Sequence, residues 1–70
     1  MNIELIHWNG REEELVFVGM NVSYVPRAGE SIVTWKSKTS AEKPESCKWL
    51  VDRVEWDLRI GVARLHVVSL

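Results

Sequence analysis

The run Val25, Pro26, Arg27, Ala28, Gly29, Glu30 is followed at once by Ser31, Ile32, Val33, Thr34, Trp35. No other stretch restricts the fold of this chain as much. Proline locks φ and glycine admits positive φ, so the six residues form a tight turn, and the β-branched residues behind it make that turn the start of a strand. The spacing predicts a strand over Ser31 to Ser37. Asn21 to Val25 is expected to be extended on the way in, because the residue before a proline is pushed out of the α region.

Alternation marks two further strands clearly. Residues 2 to 8 place Ile3, Leu5 and His7 against Glu4, Ile6 and Trp8, and Asn9-Gly10 follows directly. Asn-Gly after an alternating run is a strong hairpin signal, with a partner strand that includes Leu15 to Val18 and is approached by acidic Glu12 to Glu14. Near the other end, Ala63, Leu65, Val67 and Ser69 alternate with Arg64, His66, Val68 and Leu70. One face of this strand, residues 60 to 69, is apolar, while the other begins polar and ends apolar.

Cys47 to Asp57 admits two readings. Cys47, Leu50, Val51 and Val54 fall at helical spacing behind Pro44, Glu45 and Ser46, which would serve as a helix start. In the other reading Trp49 and Val51 share one strand face, and a single bulge near Asp52 and Arg53 brings Val54 and Trp56 onto that same face. The bulged strand is favoured because it leaves no tryptophan off the apolar side. Between the third strand and this segment, residues 38 to 46 are polar and are expected to form the longest exposed loop.

Five strands in 70 residues indicate one all-β domain over residues 1–70, a small five-stranded antiparallel barrel or half-barrel. A chain this short buries a small share of its surface and has thin stability. Its single cysteine excludes a disulfide-stapled scaffold. Met1 to Trp8 lacks the basic start and long apolar core of a signal peptide, and no segment has the length of a membrane span, so the cytoplasm is the expected location. The Asn21-Val22-Ser23 sequon then has no glycosylation to direct.

The order Pro26, Arg27, any residue, Gly29, Glu30, a strand, then Val51, Val54, Glu55, Trp56 and a valine-rich final strand resembles that of short bacterial and phage proteins. More remotely it resembles SH3-like barrels, in which a Gly-acidic turn opens the first strand. The likeness covers residues 25 to 69 and implies a compact SH3-like β-barrel. That fold hosts peptide binders, nucleic-acid binders and subunit-assembly modules alike. Through plasmid-borne dihydrofolate reductases of the SH3-like type it also implies an enzyme built at an oligomer pore, for which the residues offer no motif.

The residues themselves point to binding rather than catalysis. His7, His66 and Cys47 lack the short fixed spacing of metal ligands, and Cys47 has no neighbouring base or oxyanion-hole motif, so no catalytic residue, metal or cofactor is expected. Arg27, at a turn tip beside Tyr24 and Trp35, offers a guanidinium to a carboxylate, a phosphate or an aromatic face. Lys36, Lys38, Lys43 and Lys48 surround the polar loop, with Trp35 and Trp49 flanking them, a mixture of charge and stacking surface suited to single-stranded nucleic acid. Glu42 and Glu45 dilute that patch and the net charge is −1, so any such binding is weak.

Tryptophan is the stronger clue. Each ring buries about 150–250 Å², and a barrel of this size holds roughly two, so one or two of Trp8, Trp35, Trp49 and Trp56 should stand in solvent, Trp35 first among them. Exposed tryptophan near arginine is the composition of interface hot spots. The expected function is a non-enzymatic binding or assembly module that self-associates, or binds another protein, through a surface drawn from Trp35, Arg27, Tyr24, Lys36, Lys38 and Trp56. Edge pairing of the strand from Ile60 to Leu70 across a two-fold axis would assist it. Weak nucleic-acid binding by the lysine and tryptophan loop is the alternative.

Overall fold

Ala63, Leu65 and Val67 are buried, and between them Val62, Arg64 and His66 are only half-exposed. A strand covered on one face and sheltered on the other belongs in the middle of a sheet. The computed structural model, which describes residues 1–36 and 45–70, has five strands: β1 (Asn2–Trp8), β2 (Glu13–Gly19), β3 (Ser31–Lys36), β4 (Glu45–Asp57) and β5 (Val62–Ser69). They form one sheet in the order β2-β1-β5-β4-β3, curled into an open half-barrel. Three pairings are antiparallel, as expected, and the fourth, between β1 and β5, is parallel. Parallel neighbours need a long crossover, and here the whole of β2 to β4 supplies it. The final strand is therefore central, with both sides already paired, so it cannot serve as a pairing edge as the sequence suggested. The edges are β2 and β3.

The helix reading of Cys47 to Asp57 is excluded, and the bulge stands where the alternation requires it. Val51 pairs with Val67 and Arg53 with His66, which leaves Asp52 as the extra residue. Trp49, Val51, Val54 and Trp56 consequently share the inner face of β4. A second irregularity, between Leu5 and Ile6, leaves Val16 as the extra residue of β2. Leu15 to Val18 is apolar throughout, so its sequence contains no phase from which that bulge could be read.

The core consists of Ile3, Leu5, Trp49, Val51, Ala63, Leu65 and Val67, all from β1, β4 and β5. Val16, Val22, Val25, Ile32, Cys47 and Val54 pack around it. Trp49 is the one tryptophan inside, and its indole N–H donates to Thr34 Oγ1 at 2.9 Å, so the polar end of the ring is satisfied where it is buried. His7 lies against the same ring, with centroids 5.1 Å apart.

Two turns secure the ends of the strands. In the first, the Asn9 side-chain oxygen accepts the amides of Arg11 and Glu12, closing the β1–β2 hairpin in four residues. In the second, Glu30 N donates to Arg27 O at 3.0 Å and Gly29 has φ of 92°. The turn is then stitched to β4 at the residue just before its bulge: Gly29 N donates to Val51 O and Val51 N to Glu30 O, both at 2.9 Å. The segment leading in departs from the expected extended path at Asn21, whose φ is 55°. Val22 N donates to Met1 O at 2.8 Å, and Val22 and Val25 lie on the core.

A Cβ at position 29 would meet no atom within 4 Å, so its cost is confined to the left-handed backbone. Gly29→Ala should lower unfolding free energy by about 1 kcal/mol, read from the urea midpoint; an unchanged midpoint would refute a conformational requirement for glycine. Thr34→Val keeps the shape and strands the buried indole N–H of Trp49. It should cost about 1–3 kcal/mol, and a neutral effect would show that the hydrogen bond does not secure the ring.

Candidate functional site

Residues Ser23 to Ala28 run beside the inner face of β4 and, with Val54 and Trp56, line a groove of about 660 Å³. The bulge is what turns Val54 and Trp56 toward it. The opposite wall is held by one carboxylate. Glu30 Oε1 accepts the Tyr24 hydroxyl and the Arg27 main-chain N–H, each at 2.6 Å. These contacts hold the Glu30 carboxyl below its usual range, the Tyr24 hydroxyl contributing most and the Arg27 amide next. Reciprocally, the hydrogen bond to Glu30, with partial desolvation, pushes the Tyr24 phenol above its ordinary value. The Arg27 charge also acts on Glu30, but its guanidinium makes no hydrogen bond or ion pair among the described residues.

The outer face of the sheet is divided along the strands. At one end Arg64 bridges Glu4 at 3.1 Å and Asp57 at 3.4 Å, and His66 meets Glu55 at 3.0 Å and Glu13 at 4.0 Å. The His66 contact holds the Glu55 carboxyl below its usual range. At the other end the register brings apolar residues side by side. Ile6 pairs with Leu15 and Val68 with Leu50, while Trp8 follows the His7–Val67 pair and so stands beside Val68. Leu70 N bonds to Lys48 O, and Lys48 pairs with Val33, two residues before Trp35. Trp8, Leu15, Val33, Trp35, Val68 and Leu70 are all exposed. A hollow of about 210 Å³ marks the boundary, with Trp8 and Val68 on its apolar side and Glu13, Arg53 and His66 on its charged side.

The residues singled out in the sequence thus divide between two surfaces. Tyr24, Arg27 and Trp56 come together in the groove. Trp35 does not join them, because it lies on the outer face of β3, so its expected place beside Arg27 is corrected by the strand's phase. Exposure is 66% for Trp35, 60% for Trp8, 51% for Trp56 and 8% for Trp49, which makes Trp35 the most exposed ring. Lys36 closes β3 opposite Glu45, whereas Lys38 and Lys43 lie outside the described residues. Burial of Trp49 removes one of the two rings expected to flank a nucleic-acid patch. His7 and His66 occupy neighbouring strands but opposite faces. Among the described residues, no group of three or more His, Cys, Asp or Glu side chains has the geometry to hold a metal ion, and no helix is long and apolar enough to cross a membrane.

Sequence reasoning did not assign Val54 to a groove wall or Glu30 to the clamp. The signal for Glu30 was its place after Pro-x-x-Gly, three residues beyond the amide it accepts. Comparison of the chain with protein-family models, with curated proteins and with solved structures finds no match.

The Tyr24–Glu30 contact predicts a pH dependence with two limits. A carboxyl lowered in the folded state adds stability above its unfolded pKa that is lost as pH falls through the folded value, and a raised phenol adds stability below its unfolded pKa that is lost as pH rises through the folded one. Tyr24→Phe should raise the Glu30 pKa toward the ordinary carboxylate value, and Glu30→Gln should lower that of Tyr24. Carboxyl NMR titration and ultraviolet phenolate titration measure the two, and absence of either shift would show that the hydrogen bond is not held in solution.

Proposed function

We propose that this domain is a non-enzymatic assembly module that associates with a second copy of itself through the apolar end of its outer sheet face. The supporting observation is the segregation on that face. Trp8, Leu15, Val33, Trp35, Val68 and Leu70 are exposed at one end of the face, with Lys48 beside Val33 and Glu13 beside Trp8, while Glu4, Asp57 and Glu55 pair with Arg64 and His66 at the opposite end. Scattered surface hydrophobes need no explanation, but exposed apolar side chains, two of them tryptophans, concentrated at one end of a sheet face have the character of an interaction surface.

A second copy is the partner favoured by energetics. Among the described residues the core has seven buried apolar side chains, and each large side chain fully buried contributes about 1.5–3 kcal/mol. Covering the outer band by association would add to that small core, and folding and dimerisation would then be linked by mass action. A two-fold pairing places the same band on both partners, so apolar meets apolar.

The protein should sediment as a dimer or larger species at micromolar concentration, with a melting temperature that rises with concentration. Trp35→Ser should shift it to monomer and remove that concentration dependence, since the ring makes no core contact to lose. A monomer at high concentration in sedimentation equilibrium, with a concentration-independent melting temperature, would overturn the assembly reading.

A further inference from the structure

We infer that the groove between Ser23–Ala28 and β4 binds an extended peptide segment in which an acidic side chain neighbours an apolar one. This goes beyond self-assembly, which uses the opposite face of the sheet.

Three observations define the occupant. Arg27 is the one charged residue among the eight that line the groove, and its guanidinium has no hydrogen-bond or ion-pair partner among the described residues. Glu30, which feels the Arg27 charge, is not part of the lining, and its carboxylate is engaged by the Tyr24 hydroxyl and the Arg27 amide. The site therefore complements an anion, and a planar guanidinium suits a carboxylate in particular. Second, the main-chain N–H and C=O groups of Ser23, Tyr24 and Val25 make no hydrogen bond among the described residues. Unpaired backbone groups along one wall offer hydrogen bonds to the main chain of a peptide, whereas a small anion would leave them unused. Third, the floor is apolar and aromatic: Val25, Pro26, Val54 and the half-exposed Trp56 ring accept a hydrophobic side chain. At about 660 Å³ the groove has the capacity of a ligand site, which typically spans about 300–1,000 Å³.

The site is also prepared before any ligand arrives. Glu30 clamps Tyr24 to the start of the turn, and Gly29 and Glu30 are bonded to Val51. Little ordering remains to be done on binding, which lowers its entropic cost.

The test uses the full-length, ¹⁵N-labelled chain and three probes: the N-acetylated, C-amidated pentapeptide VEFEV, its uncharged counterpart VQFQV, and phenylacetate. The expected result is saturable shifts at the amides of residues 23–28, at Val54 and at the Trp56 indole N–H. VEFEV should bind about two- to fivefold more tightly than VQFQV, the range of a solvent-accessible ion pair. Arg27→Gln should erase that preference with the rest of the spectrum unchanged, and Arg27→Lys should retain part of it. Absence of saturable shifts at millimolar peptide, shifts centred on Trp8 and Trp35, equal binding of the two peptides, or a preference that survives Arg27→Gln would overturn the inference. Phenylacetate binding the groove as tightly as VEFEV would assign it to small anions. Shifts of the same groups on raising protein concentration alone would assign it to a second copy. Either of these last outcomes also overturns it.

Discussion

A thirteen-residue strand keeps one face on the core only if its alternation stays in phase, and β4 does so by inserting Asp52. Without that bulge, Arg53 and Glu55 would point into the core, and Val54 and Trp56 would point to the charged side of the sheet. The rest of the molecule is organised around this point. Before it, β4 holds β3; beyond it, β4 pairs with β5 alone. Val51, the last residue before the shift, bonds to both Gly29 and Glu30, so the turn that opens β3 is anchored at the place where β4 changes phase. Bulges bend a strand and increase its twist, and this one lies where the sheet must curl for Val22 and Val25 to reach the core.

The two candidate surfaces have a common origin in that arrangement. The half-barrel has an inner face only partly covered, and the Ser23–Ala28 segment covers it up to Trp56, leaving a groove rather than a closed core. Among the described residues, no layer covers the outer face. There, the alternation that buries Ala63, Leu65 and Val67 also projects Arg64, His66 and Val68, and the change from charge to hydrocarbon along β5 divides the face in two.

Much of this was legible in the residues, for identifiable reasons. Period-two alternation located β1 and β5, the Pro-x-x-Gly turn with its β-branched run located β3, and the broken alternation of Trp49, Val51, Val54 and Trp56 located the bulge, because a phase slip in an otherwise regular pattern has few structural causes. The Pro-x-x-Gly order marked a position of positive φ that the structure has at Gly29. What local pattern could not supply was strand order. Nothing in Val62–Ser69 distinguishes a central strand from an edge, since that depends on which distant strand arrives alongside, and here the arrival is parallel. The candidate site was legible in part for the same reason. Tyr24 and Arg27 are near in sequence and stayed together, but their aromatic neighbour across the groove is Trp56 rather than the closer Trp35, because strand phase, not sequence distance, decides which face a ring occupies.

The parallel pairing of β1 with β5 has a kinetic consequence. The strand completing the sheet is the latest of the five to be synthesised, and its partner β1 is the earliest. Until β5 is available, the β1–β2 hairpin and the β3–β4 pair share no strand-to-strand hydrogen bonds, and Leu5 and Val51 lack the residues that bury them. Contacts of such large sequence separation must be won against the entropy of closing nearly the whole chain, which slows folding relative to a simple meander of equal length. Until its last strand has emerged the domain therefore gains little: its cooperative unit is the entire set of strands, and the centre of the sheet closes only when the first and last of them meet.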